Sequence, residues 1–169
     1  MQSKYHLSML TAGLIFCSGT NGLEQKICTG QSVSVFQCEI SNGKNLALCG
    51  VYDQLAGLQG LQYVFGKAND VELIYPVGKV TTGDFKFNYY FRSGVEYLKV
   101  SFRNGSVKYS IFSNSDQNQP QGNISGIEVF DDQKHSSEVQ ILCSKIYANK
   151  LRNLSRLKCD EDDALGCNN

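Results

Sequence analysis

The sequence has no tryptophan, two prolines and two histidines in 169 residues, and its 16 basic side chains are matched by 16 acidic ones. Each scarcity closes a class of function. A net charge of zero argues against a general nucleic-acid binder, which needs a clustered positive excess to displace counterions from a phosphate backbone. Ser-His-Asp and Cys-His catalysis both need an imidazole base. His6 lies in a segment expected to be removed, so His135 alone remains. It sits in Asp131-Asp132-Gln133-Lys134-His135-Ser136-Ser137, a polar turn between two expected strands, where a solvated histidine is the plain reading. No G-x-S-x-G elbow, G-x-x-x-x-G-K-[ST] loop or strand-linked G-x-G-x-x-G occurs. The expectation is a protein with no catalytic residues and no cofactor.

Long apolar runs are also missing. The longest is Leu7-Ser8-Met9-Leu10-Thr11-Ala12-Gly13-Leu14-Ile15-Phe16, too short for a stable bilayer span. With Lys4 before it and Cys17 and Gly19 after it, residues 1–19 read as a secretory signal cleaved after Gly19. A lipoprotein reading would acylate Cys17, but Phe16 is bulky where such sites want a small residue. Cleavage would remove Cys17 and leave Cys28, Cys38, Cys49, Cys143, Cys159 and Cys167, an even set that suits disulfides in an exported chain. None lies in a C-x-x-C pair, so no metal site is expected. Cys159 and Cys167 can close a small loop around Asp160-Glu161-Asp162-Asp163, read as a solvated acidic tail because it lacks the spaced D-x-D-x-D-G of a calcium loop.

What the chain does have is alternation. From residue 33 to 143 apolar and polar residues alternate between segments of Gly, Asn, Asp and Ser, the pattern of a β meander. A two-residue turn at Ser93-Gly94 places Phe85 opposite Phe102, Phe87 opposite Val100 and Tyr89 opposite Leu98. One at Asn104-Gly105 places Phe102 opposite Val107, Val100 opposite Tyr109 and Leu98 opposite Ile111. Both put the same apolar residues on one face. Upstream, a loop over 66–70 pairs Phe65 with Val71, Tyr63 with Leu73 and Leu61 with Tyr75. A four-residue loop over 42–45 pairs Ile40 with Ala47, Phe36 with Val51 and Cys38 with Cys49, making the last a candidate disulfide and leaving Cys28 for Cys143.

Two more strands are expected at 125–130 and 138–143. From Ser144 to Lys158 the period changes, with Tyr147, Leu151 and Leu154 at helical spacing. The expected fold is therefore mainly all-β: an eight- to nine-stranded antiparallel meander forming a barrel or sandwich, plus one short C-terminal helix that packs on the sheet or plugs one end. The expected organisation is a signal peptide over 1–19, a single β-rich domain over 20–158 and a disulfide-closed acidic tail over 159–169.

The runs Asn42-Gly43-Lys44-Asn45-Leu46-Ala47-Leu48-Cys49, Leu61-Gln62-Tyr63-Val64-Phe65-Gly66 and Val71-Glu72-Leu73-Ile74-Tyr75-Pro76 carry the pattern G-K-x-x-x-[LV]-C … L-Q-Y-x-F-G … E-L-x-Y-P. In this the chain resembles a group of short exported proteins of Gram-negative bacteria, over roughly residues 33–143. The resemblance implies an envelope location and a β fold, and transfers no active site.

The other face of the central meander carries Lys86, Tyr90, Arg92, Tyr97, Lys99, Arg103, Lys108 and Phe112, with Tyr90 opposite Tyr97 and Tyr97 opposite Phe112 in the expected registers. A cationic sheet surface with an aromatic stripe holds the residue types that anchor interfaces. The plainer alternative is a solvent face, or one partly covered by the C-terminal helix. The function these features favour is an exported, non-enzymatic binding protein of the cell envelope, periplasmic or secreted. Its partner would be an envelope protein, and inhibition of or immunity to a cell-wall-degrading or toxic enzyme its specific form. One alternative is a small-ligand-binding or structural β-barrel; the other is a glycan hydrolase using two of Glu72, Glu96 and Glu128, since two carboxylates suffice for that chemistry.

Overall fold

A computed structural model describes residues 27–134 and 138–167; residues 1–19 with His6 and Cys17, and the turn histidine His135, lie outside the described residues. Nine strands follow one another: β1 (Val33–Ile40), β2 (Asn45–Asp53), β3 (Gly57–Lys67), β4 (Asp70–Tyr75), β5 (Lys86–Arg92), β6 (Val95–Asn104), β7 (Val107–Asp116), β8 (Asn123–Asp131) and β9 (Val139–Asn149). They form one antiparallel sheet in the order β4-β3-β2-β1-β9-β8-β7-β6-β5. Two four-stranded meanders, each built from neighbouring hairpins, are thus joined through β9. Its residues 139–142 pair with β8 and its residues 143–149 with β1.

The sheet is not closed into a barrel, since β4 and β5 end it. It curls instead until the rings of β3 and β4 meet those of β5 to β7. Phe102 lies 4.7 Å from Tyr75, 5.0 Å from Tyr109, 5.1 Å from Tyr63 and 5.2 Å from Phe85, ring centre to ring centre. Phe36, Leu46, Leu48 and Leu61 from one meander pack with Phe85, Val100, Ile111 and Ile127 from the other, all of them buried. Side chains therefore fill the space that a ligand-holding barrel would leave open. Desolvation in this core raises the Tyr63 phenol far above its ordinary range.

The hairpins test the expected registers one by one. The β5–β6 turn is Ser93-Gly94, Gly94 taking φ 75°, and Phe87 faces Val100 and Tyr89 faces Leu98 as expected. In β6–β7 the turn is Gly105-Ser106, because Gly105 (φ 63°) takes the first turn position and Asn104 stays in the ladder opposite Val107. Phe102 therefore faces Tyr109 and Val100 faces Ile111, a slide that keeps every face but changes every partner. In β3–β4 the ladder runs on to Lys67 opposite Asp70, with the register shift at Gly66. A Cβ on Gly66 would lie 2.5 Å from the Asp70 carbonyl oxygen. Phe65 consequently faces Leu73 and Tyr63 faces Tyr75.

The β1–β2 hairpin changes more. Its loop is Ser41-Asn42-Gly43, closed by a 2.9 Å hydrogen bond from the Ile40 amide to the Lys44 carbonyl, with Gly43 at φ 77°. Relative to the four-residue loop this moves the pairing by an odd number of residues, and an odd shift exchanges faces. Cys38 now faces Leu46 and points into the core with Phe36. Cys49 points to the opposite side, beside Ile27, Cys28, Ala47 and Val64. The expected pairs Cys38–Cys49 and Cys28–Cys143 are therefore replaced by Cys28–Cys49 and Cys38–Cys143, with Cα separations of 5.5 and 5.7 Å. The local pair Cys159–Cys167 forms as expected. Three disulfides are consistent with an oxidising, extracytoplasmic setting.

The C-terminal helix is also corrected. Residues 144–149 continue β9, where β1 needs a second neighbour, and Tyr147 donates its hydroxyl to Glu39 at 2.7 Å. Only Leu151–Leu154 turns, as a single 3-10 turn that buries both leucines in the core beside β6. Among the described residues no helix is long and apolar enough to cross a membrane.

Candidate functional site

Registers across β5, β6, β7 and β8 arrange the outer face as rows running across the strands. One row is Lys86–Ser101–Ser110–Glu128, the next Asn88–Lys99–Phe112–Gly126, the next Tyr90–Tyr97–Asn114–Ile124, and beside it Arg92–Val95–Asp116. Arg103 and Lys108 face each other beyond the first row. All eight residues of the expected patch lie on this face, as the alternation required. Phe112 is moved from opposite Tyr97 to opposite Lys99 by the slide in β6–β7.

The face is not bare. The disulfide-closed segment 159–167, expected to be a solvated tail, lies on the first two rows. Lys158 and Cys167 form bridges to Lys86 and Tyr89 along the edge of β5, and the chain between them crosses the sheet. Asn88 donates its side-chain amide to the carbonyls of Asp160 and Gly166, each at 2.8 Å. Lys108 Nζ lies 2.8 Å from Asp160 and 3.3 Å from Asp163, Lys86 lies 3.4 Å from Asp160, and Lys99 lies 3.5 Å from Asp163 and 3.1 Å from Glu128. Phe112, in the second row, is fully buried. Three of the patch's cations are thus partnered within the chain, and Arg103 is paired with Asp132.

Burial alone would raise the Asp160 carboxyl, but Lys108 and Lys86 outweigh it and hold that carboxyl below its ordinary 3.8. Burial likewise pulls Lys108 down, while Asp160 and Asp163 more than reverse this and hold it above 10.5. The Asp160 contribution to stability is therefore full above pH 3.8 and is lost as the pH falls through its lowered value; that of Lys108 is full below 10.5 and is lost as the pH rises through its raised value. Asp160→Asn is expected to lower stability by about 1–3 kcal/mol at neutral pH, because it takes a charged acceptor from the half-buried Lys108, which keeps only Asp163, and from the exposed Lys86. Thermal melts of both proteins across pH check this. The two curves should converge as the pH falls through the lowered Asp160 value, where the wild-type carboxyl itself becomes neutral; a gap that persists once it is neutral would assign the loss to packing.

What the loop leaves uncovered is the Tyr90–Tyr97–Asn114–Ile124 row with Arg92. The Tyr90 and Tyr97 rings are 6.1 Å apart, and the Tyr97 hydroxyl donates to Asp116 at 2.8 Å, the main cause of its raised phenol. The backbone amide of Asn118, then the Tyr97 hydroxyl, lower Asp116. A cleft of about 440 Å³ opens here, lined by Tyr97, Asn114, Asp116, Ile124 and the β7–β8 loop. On the inner face of the same hairpin end, Phe87, Tyr89, Phe91 and Leu98 line a second hollow of about 230 Å³, at whose mouth Glu96 pairs with Arg152. Phe91 is 65% exposed.

The three expected carboxylates are distributed over separate places. Glu72 pairs with Lys44 at 2.8 Å, Glu96 with Arg152, and Glu128 with Lys99. Glu96 shares the inner parity of Leu98 and Val100, whereas Glu128 sits on the outer face of β8. The docking of segment 159–167 was the part that sequence reasoning missed. Its signal was charge complementarity, four consecutive acidic residues closed into a loop and a lysine-rich sheet face elsewhere in the chain.

Comparison with known proteins brings no relative to this site: no family model, no curated protein and no solved structure matches the chain.

Proposed function

We propose that the chain is an exported, non-enzymatic binding protein of the cell envelope that inhibits, or confers immunity to, a cell-wall-degrading or toxic enzyme. One observation carries the reading: the end of the β5–β6 hairpin presents Tyr90, Phe91, Arg92 and Tyr97, while Lys86, Lys99 and Lys108 on the outer face beside it are neutralised from within the chain. Aromatic side chains and arginine are the residues that dominate binding energy at interfaces, and internally paired lysines are not available for it. The tip is closed by a two-residue turn, and the Cys159–Cys167 loop bridges Tyr89 next to it. Little backbone ordering entropy is then lost on association. The separate ion pairs of Glu72, Glu96 and Glu128 support the non-enzymatic part.

The disulfide-bonded protein would be titrated against a panel of lytic enzymes acting on cell-wall suspensions. Stoichiometric loss of activity with at least one enzyme is expected, and the double variant Phe91→Ala/Arg92→Ala should need at least tenfold more protein for the same effect. Full lytic activity across the panel, together with no protection of intact cells, would overturn the reading.

A further inference from the structure

We propose that the cleft beside Tyr97 is a binding site for a neutral saccharide unit, a hexose or N-acetylhexosamine. Its volume of about 440 Å³ lies within the range of small-molecule sites, roughly 300–1,000 Å³. Tyr97, Asn114 and Ile124 stand side by side on β6, β7 and β8 and form the floor; Gln119, Pro120 and Gln121 form the wall.

The wall is preorganised. The Asp116 amide donates to the Gly122 carbonyl at 2.7 Å, the Gln117 amide to the Gly94 carbonyl at 2.9 Å, and the Gly122 amide to the Gln119 carbonyl at 3.0 Å. Asp116 holds the loop from below, its Oδ1 accepting from the Asn118 amide at 2.9 Å and from the Asn118 side chain at 3.1 Å.

Ligand class follows from what this lining offers. Asp116 is the only ionisable group in it apart from the Tyr97 phenol, and both its oxygens are already engaged, Oδ2 by the Tyr97 hydroxyl and Oδ1 by Asn118. The Asp116 charge persists, but Arg92 lies close enough to act on it, so the pair is balanced and leaves no net charge to select an ion or a charged ligand. The amides of Asn114, Gln119 and Gln121 each present a donor and an acceptor, and the Tyr97 oxygen can still accept. Beside them lie the Tyr97 ring, Pro120 and Ile124, which offer apolar contact. A pyranose has the complementary make-up, with hydroxyls that both donate and accept around a ring whose C–H faces are apolar. Tyr90, whose ring is 6.1 Å from that of Tyr97, extends the aromatic floor towards a second unit. The proposal goes beyond the hairpin-tip reading and does not depend on it.

The test is saturation-transfer NMR and titration of the intact protein with the trisaccharides of N-acetylglucosamine, β-1,4-glucose and α-1,4-glucose, with a glucuronic acid oligomer as charged control. At least one neutral trisaccharide is expected to bind and to shift the side-chain amide resonances of Asn114, Gln119 and Gln121. Asn114→Ala/Gln121→Ala, changes at partly or fully exposed positions, should weaken that binding at least tenfold, and Phe91→Ala should leave it unchanged. No binding of any neutral trisaccharide at millimolar concentration, binding that survives the double variant, or preference for the charged oligomer would each overturn the proposal.

Discussion

Replacing Cys38 and Cys143 together by alanine is expected to lower the unfolding free energy by about 4–5 kcal/mol. The bridge closes a loop between residues 105 apart, and loop-closure entropy alone gives roughly that value. The same relation gives only about 2.5 kcal/mol for Cys159–Cys167, eight residues apart. Position adds to length. Cys38 is fully buried in the core, and the bridge pins β1 to β9 where the two meanders join. For a chain of this size the melting temperature should fall by roughly 10–15 °C. The measurement is a reversible melt of the double variant with its other two disulfides intact. A fall of less than about 3 °C would mean that the β1–β9 seam holds without its cross-link.

Phe102→Ala is expected to cost about 3–5 kcal/mol, the range for truncating a fully buried aromatic ring. Four rings, from β3, from the strand end at Tyr75, from Phe85 and from β7, lie within 5.2 Å of its centre. Removing it empties the place where the curled sheet meets itself. Because the chain has no tryptophan, the fine structure of near-ultraviolet circular dichroism reports tyrosine and phenylalanine packing over the broad band of the three disulfides. The variant should lose most of that signal while keeping its far-ultraviolet β spectrum. Denaturant titration supplies the energy, and a cost below 1 kcal/mol would show that the layers are held apart from this cluster.

How far the fold could be read from the chain depended on the turns. Alternation placed the inward apolar residues Phe87, Tyr89, Leu98, Val100, Phe102, Tyr109 and Ile111 correctly, because facing parity survives a slide of two residues. Glu96, expected to point outward, shares their inner parity. Ser93-Gly94 gave the right partners; Asn104-Gly105 gave the right faces and wrong partners, since glycine took the first turn position. At Ser41-Asn42-Gly43 the slide was odd, and one misjudged loop residue count exchanged two disulfide partners. The stretch from Ser144 to Asn149 looked helical because Tyr147 and Leu151 fall four apart. Its strand state comes from β1, more than a hundred residues earlier, which no local period records. The candidate surface was legible as a list of residues and illegible as a charge, because Asp160 and Asp163 reach Lys86, Lys99 and Lys108 only after the tail has folded back.

The placement of β9 has a consequence for the order of folding. As the chain emerges from its N-terminus, β1 to β4 can form their hairpins at once, and so can β5 to β8, since each is a run of local contacts. The two sheets so formed each carry a bare inner edge, β1 in one and β8 in the other, and a half-exposed apolar layer. Only the arrival of residues 139–149 satisfies both edges, and the next few residues bring Leu151 and Leu154 to seal the core. The last strand to appear is the keystone. Until it does, the unfinished molecule is two sticky halves, most open to pairing with another chain or to binding a holdase chaperone.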